Sequence, residues 1–174
     1  EMDFKGLQCR LLYHLEGVDY REDPYALWGE RTTDGQRQLG KEVVLRLFNT
    51  HSRRGALESL EKLVGPQKTI KGKMKRWALR KVLCEHRLSW ATVLRRAEER
   101  HVRLSHRFYT AIAREMMTLD ARIALGILHH LGNEGVPCLA IHDSFCVPIS
   151  ENHELKRTMM SVYSDLLHLH PIIH

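Results

Sequence analysis

One stretch constrains the fold more than any other: CLAIHDSFCVP, residues 138–148, in which polar residues interrupt an apolar run. The apolar residues have the character of buried strands, which predicts strands over 138–142 and 145–149 with a tight turn at 143–144. Asp143 lies in the middle of this hairpin. A carboxylate there costs several kcal/mol unless solvent at the turn, a partner cation or a metal ion compensates its charge.

Helices are predicted for most of the remaining chain. Periodic apolar residues, capping residues and Gly or Pro stops predict helices over 6–15, 36–48 and 52–63, and two basic helices within 70–100 divided near 86–89. They also predict one long helix or two abutting ones over 108–131, and a last helix from Ser150 towards Pro171. Ser89 is the expected N-cap of the second basic helix. Trp77 and Trp90 are expected in the core, among apolar residues of the same helices; the alternative is that they stack on bases of a nucleic acid. With a further strand at residues 1–4, this pattern predicts an α+β fold with a small antiparallel sheet.

Composition limits the setting and the kind of site. The 174 residues are 43% hydrophobic, which suits one compact domain or two lobes. The four cysteines form no CxxC pair, which argues against a zinc knuckle or a disulfide framework and favours a reducing, cytoplasmic setting. No stretch has the pattern of a signal peptide or of a bilayer-spanning helix, so no membrane partner is expected.

The positive charge is concentrated in one part of the chain. The net charge is +6, but residues 68–107 alone carry 13 Lys and Arg against 3 Glu, so the remainder is net negative. Such a basic stretch indicates a polyanionic partner, usually nucleic acid. The alternative is a solvated helical face rich in Lys and Arg.

Two carboxylates stand at predicted strand ends, Asp3 after the first strand and Asp143 in the hairpin. If these strands are neighbours in one sheet, the carboxylates converge and repel each other unless they share a proton or bind cations. Two divalent ions about 3.5–4 Å apart would resolve the repulsion and support phosphoryl or nucleotidyl transfer. The alternatives are a turn residue for Asp143 and a helix N-cap for Asp3.

Three short motifs, in order along the chain, resemble those of family A (DNA polymerase I-like) polymerases. DFKGLQCR at residues 3–10 resembles motif A, for which the family pattern is Asp-Tyr-Ser-Gln-Ile-Glu-Leu-Arg. The predicted helix at 36–48 carries Arg37 and Lys41 four residues apart, as motif B does. IHDSF at residues 141–145 is similar to motif C, in the form found in bacteriophage single-subunit RNA polymerases. The resemblance implies a polymerase palm-like sheet with packed helices and a helical fingers insertion.

The same resemblance implies a two-metal site. Asp3 and Asp143, with the backbone carbonyl of Phe4, would hold two Mg²⁺ ions, for which Mn²⁺ is a possible substitute. Asp3, Asp143 and Lys41 would be the catalytic residues. Arg37 and Lys41 would hold the nucleoside triphosphate, and Lys41 would also protonate the pyrophosphate leaving group.

The remaining implied contacts are with the nucleotide sugar and the nucleic acid. Gln8 stands where the family has the Glu that packs against the sugar, and His142 would contact the primer-terminal phosphate. The basic stretch would track template or duplex phosphates, through Lys73, Lys75, Arg76, Arg95 and Arg96.

The resemblance also predicts the organisation of the chain. Residues 1–16 would be palm, residues 17–107 a helical fingers-like insertion with the basic stretch at 68–107, and residues 108–174 palm again. The expected partners are a DNA primer–template and nucleoside triphosphates. Because motif A stands at the start, an N-terminal thumb or a replication partner is expected to be missing.

Several functions stay open at this point. The leading one is a DNA-dependent DNA polymerase, and the IHDSF form favours an RNA polymerase or primase-like activity on the same palm. A catalytically silent nucleic-acid-binding palm is a third, because Lys5-Gly6 and Gln8 depart from motif A and Phe48 is out of register with the motif B aromatic. A helix-turn-helix within residues 70–107 would leave Asp3 and Asp143 unexplained.

Overall fold

The computed structural model describes residues 1–66, 69–141 and 144–174. Its α-helices are α1 (Leu7–Leu15), α2 (Asp34–Asn49), α3 (Arg53–Val64), α4 (Ile70–Glu85), α5 (Trp90–Arg100), α6 (Ala113–Asn133) and α7 (Asn152–Leu167). Its strands are β1 (Met2–Asp3), β2 (Leu139–Ile141) and β3 (Ser144–Cys146). The prediction of an α+β fold with a small antiparallel sheet is therefore confirmed.

The chain divides into two compact units. Unit 1 comprises Glu1–Arg21 and Arg114–His174, so it contains the sheet with α1, α7 and nearly all of α6. Unit 2 is the continuous stretch Glu22–Ala113, which contains α2 to α5. The sequence predicted palm over 1–16 and 108–174 and a helical insertion over 17–107.

The sheet of unit 1 has the order β1-β3-β2, and both of its pairings are antiparallel. Ile141 of β2 lies opposite Ser144 of β3, which confirms the predicted strand pairing. On the other side of β3, Asp3 lies opposite Ser144. The free side of β1 is covered by the last residues of the chain, through a bridge between Phe4 and Ile173.

The core of unit 1 packs beneath this sheet. The Phe4 ring meets the Phe145 ring edge-on at 6.4 Å and the Tyr163 ring of α7 at 5.6 Å. Helix α6 approaches α7 closely, because a Cβ at Gly126 would lie 2.7 Å from a methyl carbon of Val162. These contacts fix β1 and β3 against the helices, and with them the backbone at Asp3.

Unit 2 is built around α2, which packs against α3, α4 and α5. Its buried face consists of apolar residues at helical spacing, Leu39, Val43, Val44, Leu47 and Phe48. The helix begins with a capping box, in which the Thr33 side chain accepts from the Gln36 backbone and the Gln36 side chain accepts from the Thr33 backbone. The predicted cap of α5 is confirmed, since the Ser89 hydroxyl accepts from the Thr92 amide at 3.1 Å.

The predicted helix over 108–131 is wrong at its start. Helix α6 begins only at Ala113, and Tyr109 and Ala111 have φ values of +60° and +52°. The amides of Tyr109 and Ile112 donate to the carbonyls of Leu47 and Phe48 at 2.7 Å and 3.0 Å. A helix leaves its last carbonyls without intrahelical donors, so this segment completes α2 instead of extending α6.

The last strand and the last helix are also shorter than predicted. Strand β3 ends at Cys146, and Pro148 precedes a short 3₁₀ turn over Ile149–Glu151. Helix α7 ends at Leu167, because His168 takes the left-handed conformation with φ +56°. In the described parts of the chain no helix is both long enough and apolar enough to cross a membrane.

Candidate functional site

Asp3 occupies a defined position at the edge of the unit 1 sheet. Its amide and carbonyl bond to the His174 carbonyl and amide, at 3.3 Å and 3.0 Å, while its other neighbour is Ser144 of β3. Asp143, the residue before Ser144 in sequence, lies outside the described residues, as does His142. The register therefore sets Asp3 directly opposite the sequence neighbour of Asp143.

The Asp3 side chain is half-buried and forms no ion pair with any residue the structure describes. The chain turns from β1 into α1 at Gly6, which has φ +55°, a conformation that glycine adopts without strain. Arg10, which is buried, donates its Nη1 to the Lys5 carbonyl at 2.6 Å. A half-buried carboxylate without a cation partner is an anionic position suited to a bound cation.

Arg10 is a residue whose role sequence reasoning missed. Its second terminal nitrogen, Nη2, reaches the Arg21 carbonyl at 3.4 Å. The guanidinium thus ties both ends of the segment around α1. In the sequence Arg10 stands out only as the last residue of the segment that resembles motif A, which does not predict these two carbonyl contacts.

Below the sheet, His14 and Tyr163 form a buried polar pair. The Tyr163 hydroxyl and His14 Nδ1 are 2.8 Å apart, and His14 Nε2 lies 3.7 Å from an Asp19 carboxylate oxygen. Burial raises the pKa of the Tyr163 hydroxyl, so it stays protonated and can donate to Nδ1. Burial also lowers the pKa of His14, against the opposing effect of Asp19. This pair supports the Tyr163 ring under Phe4.

Phe4 and Gln8 flank the predicted metal and sugar positions. The Phe4 side chain is buried in the core of unit 1, and Gln8 is half-buried in the first turn of α1. Within the described ranges 1–66, 69–141 and 144–174, no three His, Cys, Asp or Glu side chains gather as metal ligands would. The metal role of the Phe4 carbonyl and the sugar role of Gln8 stay predictions.

In unit 2, the two predicted phosphate ligands of α2 differ in their surroundings. The Arg37 guanidinium forms an ion pair with Asp23 and lies 5.3 Å from the centre of the Tyr25 ring. Lys41, one turn later, is exposed and forms no ion pair with any described residue. Of the two, Lys41 is the cation already available to an anionic ligand.

The segment that holds Arg37, residues 22–27, is fixed to the helices of unit 2 at several points. Helix α2 has glycine at position 40, where a Cβ would overlap the Tyr25 carbonyl. Glu22 pairs with Arg100 of α5, and His101 Nε2 lies 2.9 Å from the Pro24 carbonyl. A carbonyl can only accept, so Nε2 carries the proton.

His101 is fully buried and stays neutral over a wide pH range. Burial lowers its pKa to about 4, an effect that the hydrogen bond to the Pro24 carbonyl opposes. Sequence reasoning missed this residue, because nothing in the sequence links position 101 to position 24. Its role is to hold the 22–27 segment, and through Asp23 the Arg37 side chain.

Some of the residues predicted to contact phosphates in the basic stretch already interact with other side chains, and others do not. Lys75 pairs with the buried carboxylate of Glu42 at 2.6 Å. Arg95 lies 4.0 Å from Glu99, and Arg96 lies 5.5 Å from the centre of the Trp28 ring. Lys73 and Arg76 form no ion pair within the described part of the chain, and Lys68, at the start of the stretch, lies outside it.

The two tryptophans of the basic helices have different environments. Trp90 is buried, with 7% of its surface exposed, as predicted. Trp77 is 67% exposed, so its predicted place in the core is wrong. Helix α4 buries Leu79, and Trp77 lies on the other side of the helix, facing solvent with Lys81 near its ring.

Comparison with known proteins gives no assignment of family or function. No family model, no curated protein and no solved structure matches the chain. The resemblance to polymerases therefore depends on the three short motifs and on the sheet register described above.

Proposed function

We propose that the chain is the palm and fingers-like part of a template-directed nucleotidyltransferase, most directly a DNA-dependent DNA polymerase. One observation carries the proposal: Asp3, in motif A, lies opposite Ser144, which follows Asp143 of motif C. The antiparallel order β1-β3-β2 brings two motifs to adjacent strands although they are far apart in sequence. A palm in which two carboxylates share one substrate site requires this adjacency.

The residues of this edge fit a divalent metal. Asp3 has no cation partner among the described residues, and carboxylate oxygens are the ligands that Mg²⁺ prefers. Asp3, Asp143 and the Phe4 carbonyl would hold the ions, Mg²⁺ or alternatively Mn²⁺. Bound there, the metal lowers the pKa of the primer 3′-hydroxyl and offsets charge on the departing pyrophosphate.

The cations of α2 would serve the triphosphate. Lys41 is exposed and free of any described ion pair, so it binds a phosphate directly and gives a proton to the leaving pyrophosphate. Arg37 would join it through the donors that its pair with Asp23 leaves over, and more fully when that pair opens, because Nε and Nη2 face the carboxylate. Gln8 would pack against the sugar and His142 against the primer-terminal phosphate.

The template and the product duplex would lie along the basic helices. Lys73 and Arg76 offer charge that no described carboxylate neutralises. We also propose that the protein works in the reducing environment of the cytoplasm, which fits the fact that all four cysteines are free thiols. The IHDSF form of motif C favours the second candidate, an RNA polymerase or primase-like activity with the same chemistry.

Primer extension tests the proposal. The wild-type chain, given a primer–template and Mg²⁺ or Mn²⁺, should add nucleotides, and the separate use of dNTPs and NTPs distinguishes the two polymerase candidates. Asp3→Asn and Asp143→Asn should each abolish addition, whereas Asp165→Asn, at an exposed position of α7, should leave it unchanged. Extension by either of the first two variants at the wild-type rate would exclude the two-carboxylate site.

A further inference from the structure

Helix α4 presents a stripe of apolar side chains to solvent. Ile70, Met74 and Trp77 are 78%, 68% and 67% exposed, and their spacing of three and four residues sets them on one face. Lys81 ends this stripe one turn after Trp77, with its Nζ 5.3 Å from the centre of the Trp77 ring. Leu79, on the opposite side, is the buried contact of the helix with the rest of unit 2.

Available positive charge lies beside the stripe. Helix α4 contains Lys71, Lys73, Lys75, Arg76, Arg80 and Lys81. Among the residues that the structure describes, only Lys75 and Lys81 of these six form ion pairs, with Glu42 and Glu85. Trp77 follows Lys73 by four residues and precedes Arg80 by three. At this helical spacing both cations lie beside Trp77, on the same side of it.

We propose that this face of α4 binds a single-stranded nucleic acid, with an unpaired base stacked on Trp77 and the adjoining phosphates held by Lys73 and Arg80. An exposed aromatic ring accepts the face of any base, and cations beside it that no described carboxylate neutralises can hold a strand's phosphates without reading its sequence. The choice of a template strand as the occupant rests on the proposed function. A duplex offers no free base face, so the site selects single strands.

An anionic membrane is a poorer match for the same face. An interfacial helix buries a broad, continuous apolar face in the lipid. Here the apolar stripe holds three residues, and the charged Lys81 ends it one turn after Trp77. The other large apolar residues of the helix lie partly or fully covered within unit 2, Leu79, Val82 and Leu83.

Binding of a labelled oligothymidylate of about 20 nucleotides, measured by fluorescence anisotropy without metal or triphosphate, tests the site. Trp77→Ala should weaken binding at least fivefold, because one base–aromatic stack is lost, and Trp77→Phe should recover most of the loss. Leu125→Ala is the matched control, since Leu125 is 66% exposed on α6 and bears no such charge pattern. Lys73→Ala with Arg80→Ala should reduce the slope of log K against log salt by about 1.4, the value for two lost phosphate contacts to a single strand.

The affinity of Trp77→Ala for the oligonucleotide tests the proposal directly, once a melting temperature close to that of wild type shows that the variant is folded. Equal affinity of wild type and Trp77→Ala for the oligonucleotide would overturn the proposal. So would a loss confined to anionic phospholipid vesicles, or tighter binding of the annealed duplex than of the single strand. The binding assay contains neither metal nor triphosphate, so failure of nucleotide addition and failure of this site are separate results.

Discussion

Helices α2 and α4 of unit 2 both carry basic residues, yet they use them differently. On α2, Arg37 pairs with Asp23, and Arg46 pairs with Glu42 at 3.0 Å. On α4 only two of the six basic residues, Lys75 and Lys81, form ion pairs in the described part of the chain, against two of three on α2. The comparison shows that charge counted along a sequence does not measure charge available to a ligand, because partners from other segments neutralise part of it.

The sharpest contrast is between two carboxylates. Glu42 is buried and has three partners, Gln38, Arg46 and Lys75. Asp3 is half-buried and has no cation partner among the described residues. A buried carboxylate that is fully paired serves the fold, whereas one left without a cation is the better candidate for binding metal.

The link between α2 and α4 through Glu42 should show a large effect on stability. Glu42→Gln removes the charge that Arg46 and Lys75 pair with, and it should lower the free energy of unfolding by about 2–3 kcal/mol, since the two cations left behind keep some contact with solvent. Glu58→Gln is the matched control, because its pair with Arg54 is exposed and should contribute no more than about 0.5 kcal/mol. Urea denaturation compares the two, and equal small losses would mean that the Glu42 network adds nothing.

The anchor of the 22–27 segment should give unit 2 a pH-dependent stability. The pKa of His101 is about 4 in the folded chain, below its ordinary value near 6.5, so only the unfolded chain takes up its proton between these values. The stabilisation of the folded chain by neutral His101 is therefore complete above pH 6.5 and is lost as the pH falls. At pH 4 this loss lowers the free energy of unfolding by about 3 kcal/mol.

Carboxylates and His14, whose pKa burial also lowers, add their own pH dependence to the stability. The variant His101→Gln separates the effect of His101 from theirs. His101→Gln should be less stable than wild type at pH 7 but should lose less stability between pH 7 and pH 4. Parallel pH dependences in wild type and variant, measured by urea denaturation, would show that His101 does not titrate in this way.

The close approach of the 22–27 segment to α2 is tested at a glycine. Gly40→Ala would bring a Cβ into the Tyr25 carbonyl, and it should destabilise unit 2 by about 2–3 kcal/mol. Gly132→Ala, in α6 with open space around it, should instead be neutral or stabilising by up to about 1 kcal/mol. Thermal melts of both variants measure the difference, and a stable Gly40→Ala would mean that the segment is not pressed against α2.

Release of Arg37 should have the smallest effect and acts on binding. Asp23→Asn removes its ion partner, so we expect severalfold tighter binding of a nucleoside triphosphate, with little change in stability because the pair is partly exposed. Adding Arg37→Ala should cancel the gain. Weaker triphosphate binding by Asp23→Asn alone would instead mean that Asp23 holds Arg37 in its working position.

Local patterns were enough to predict much of the fold. The Ser89 cap, the division between α4 and α5, and the pairing of the strands around Asp143 follow from residues close together in sequence. The break at Tyr109 did not follow, because its cause is a set of carbonyls at the far end of α2. Apolar periodicity alone does not indicate which residues such long-range bonds remove from a helix.

The candidate site was predictable in its residues more than in its geometry. Asp3 was identified from motif A, but its pairing with Ser144 depends on strand register, which no local pattern gives. The engagement of Arg37 by Asp23 was missed because the partner lies 14 residues away in an irregular segment. The outward position of Trp77 was missed because a tryptophan at helical spacing among apolar residues is typical of a core.

The most direct test of the central claim is the rate of single-nucleotide addition to a labelled primer as the Mg²⁺ concentration is varied. We expect wild type to show a saturable rise that a chelator abolishes, and Asp23→Asn to retain it. Asp3→Asn should show no addition at any Mg²⁺ concentration while remaining folded. Addition by Asp3→Asn at the wild-type rate, or wild-type addition that persists in excess chelator, would contradict a metal-dependent nucleotidyl transfer site at Asp3.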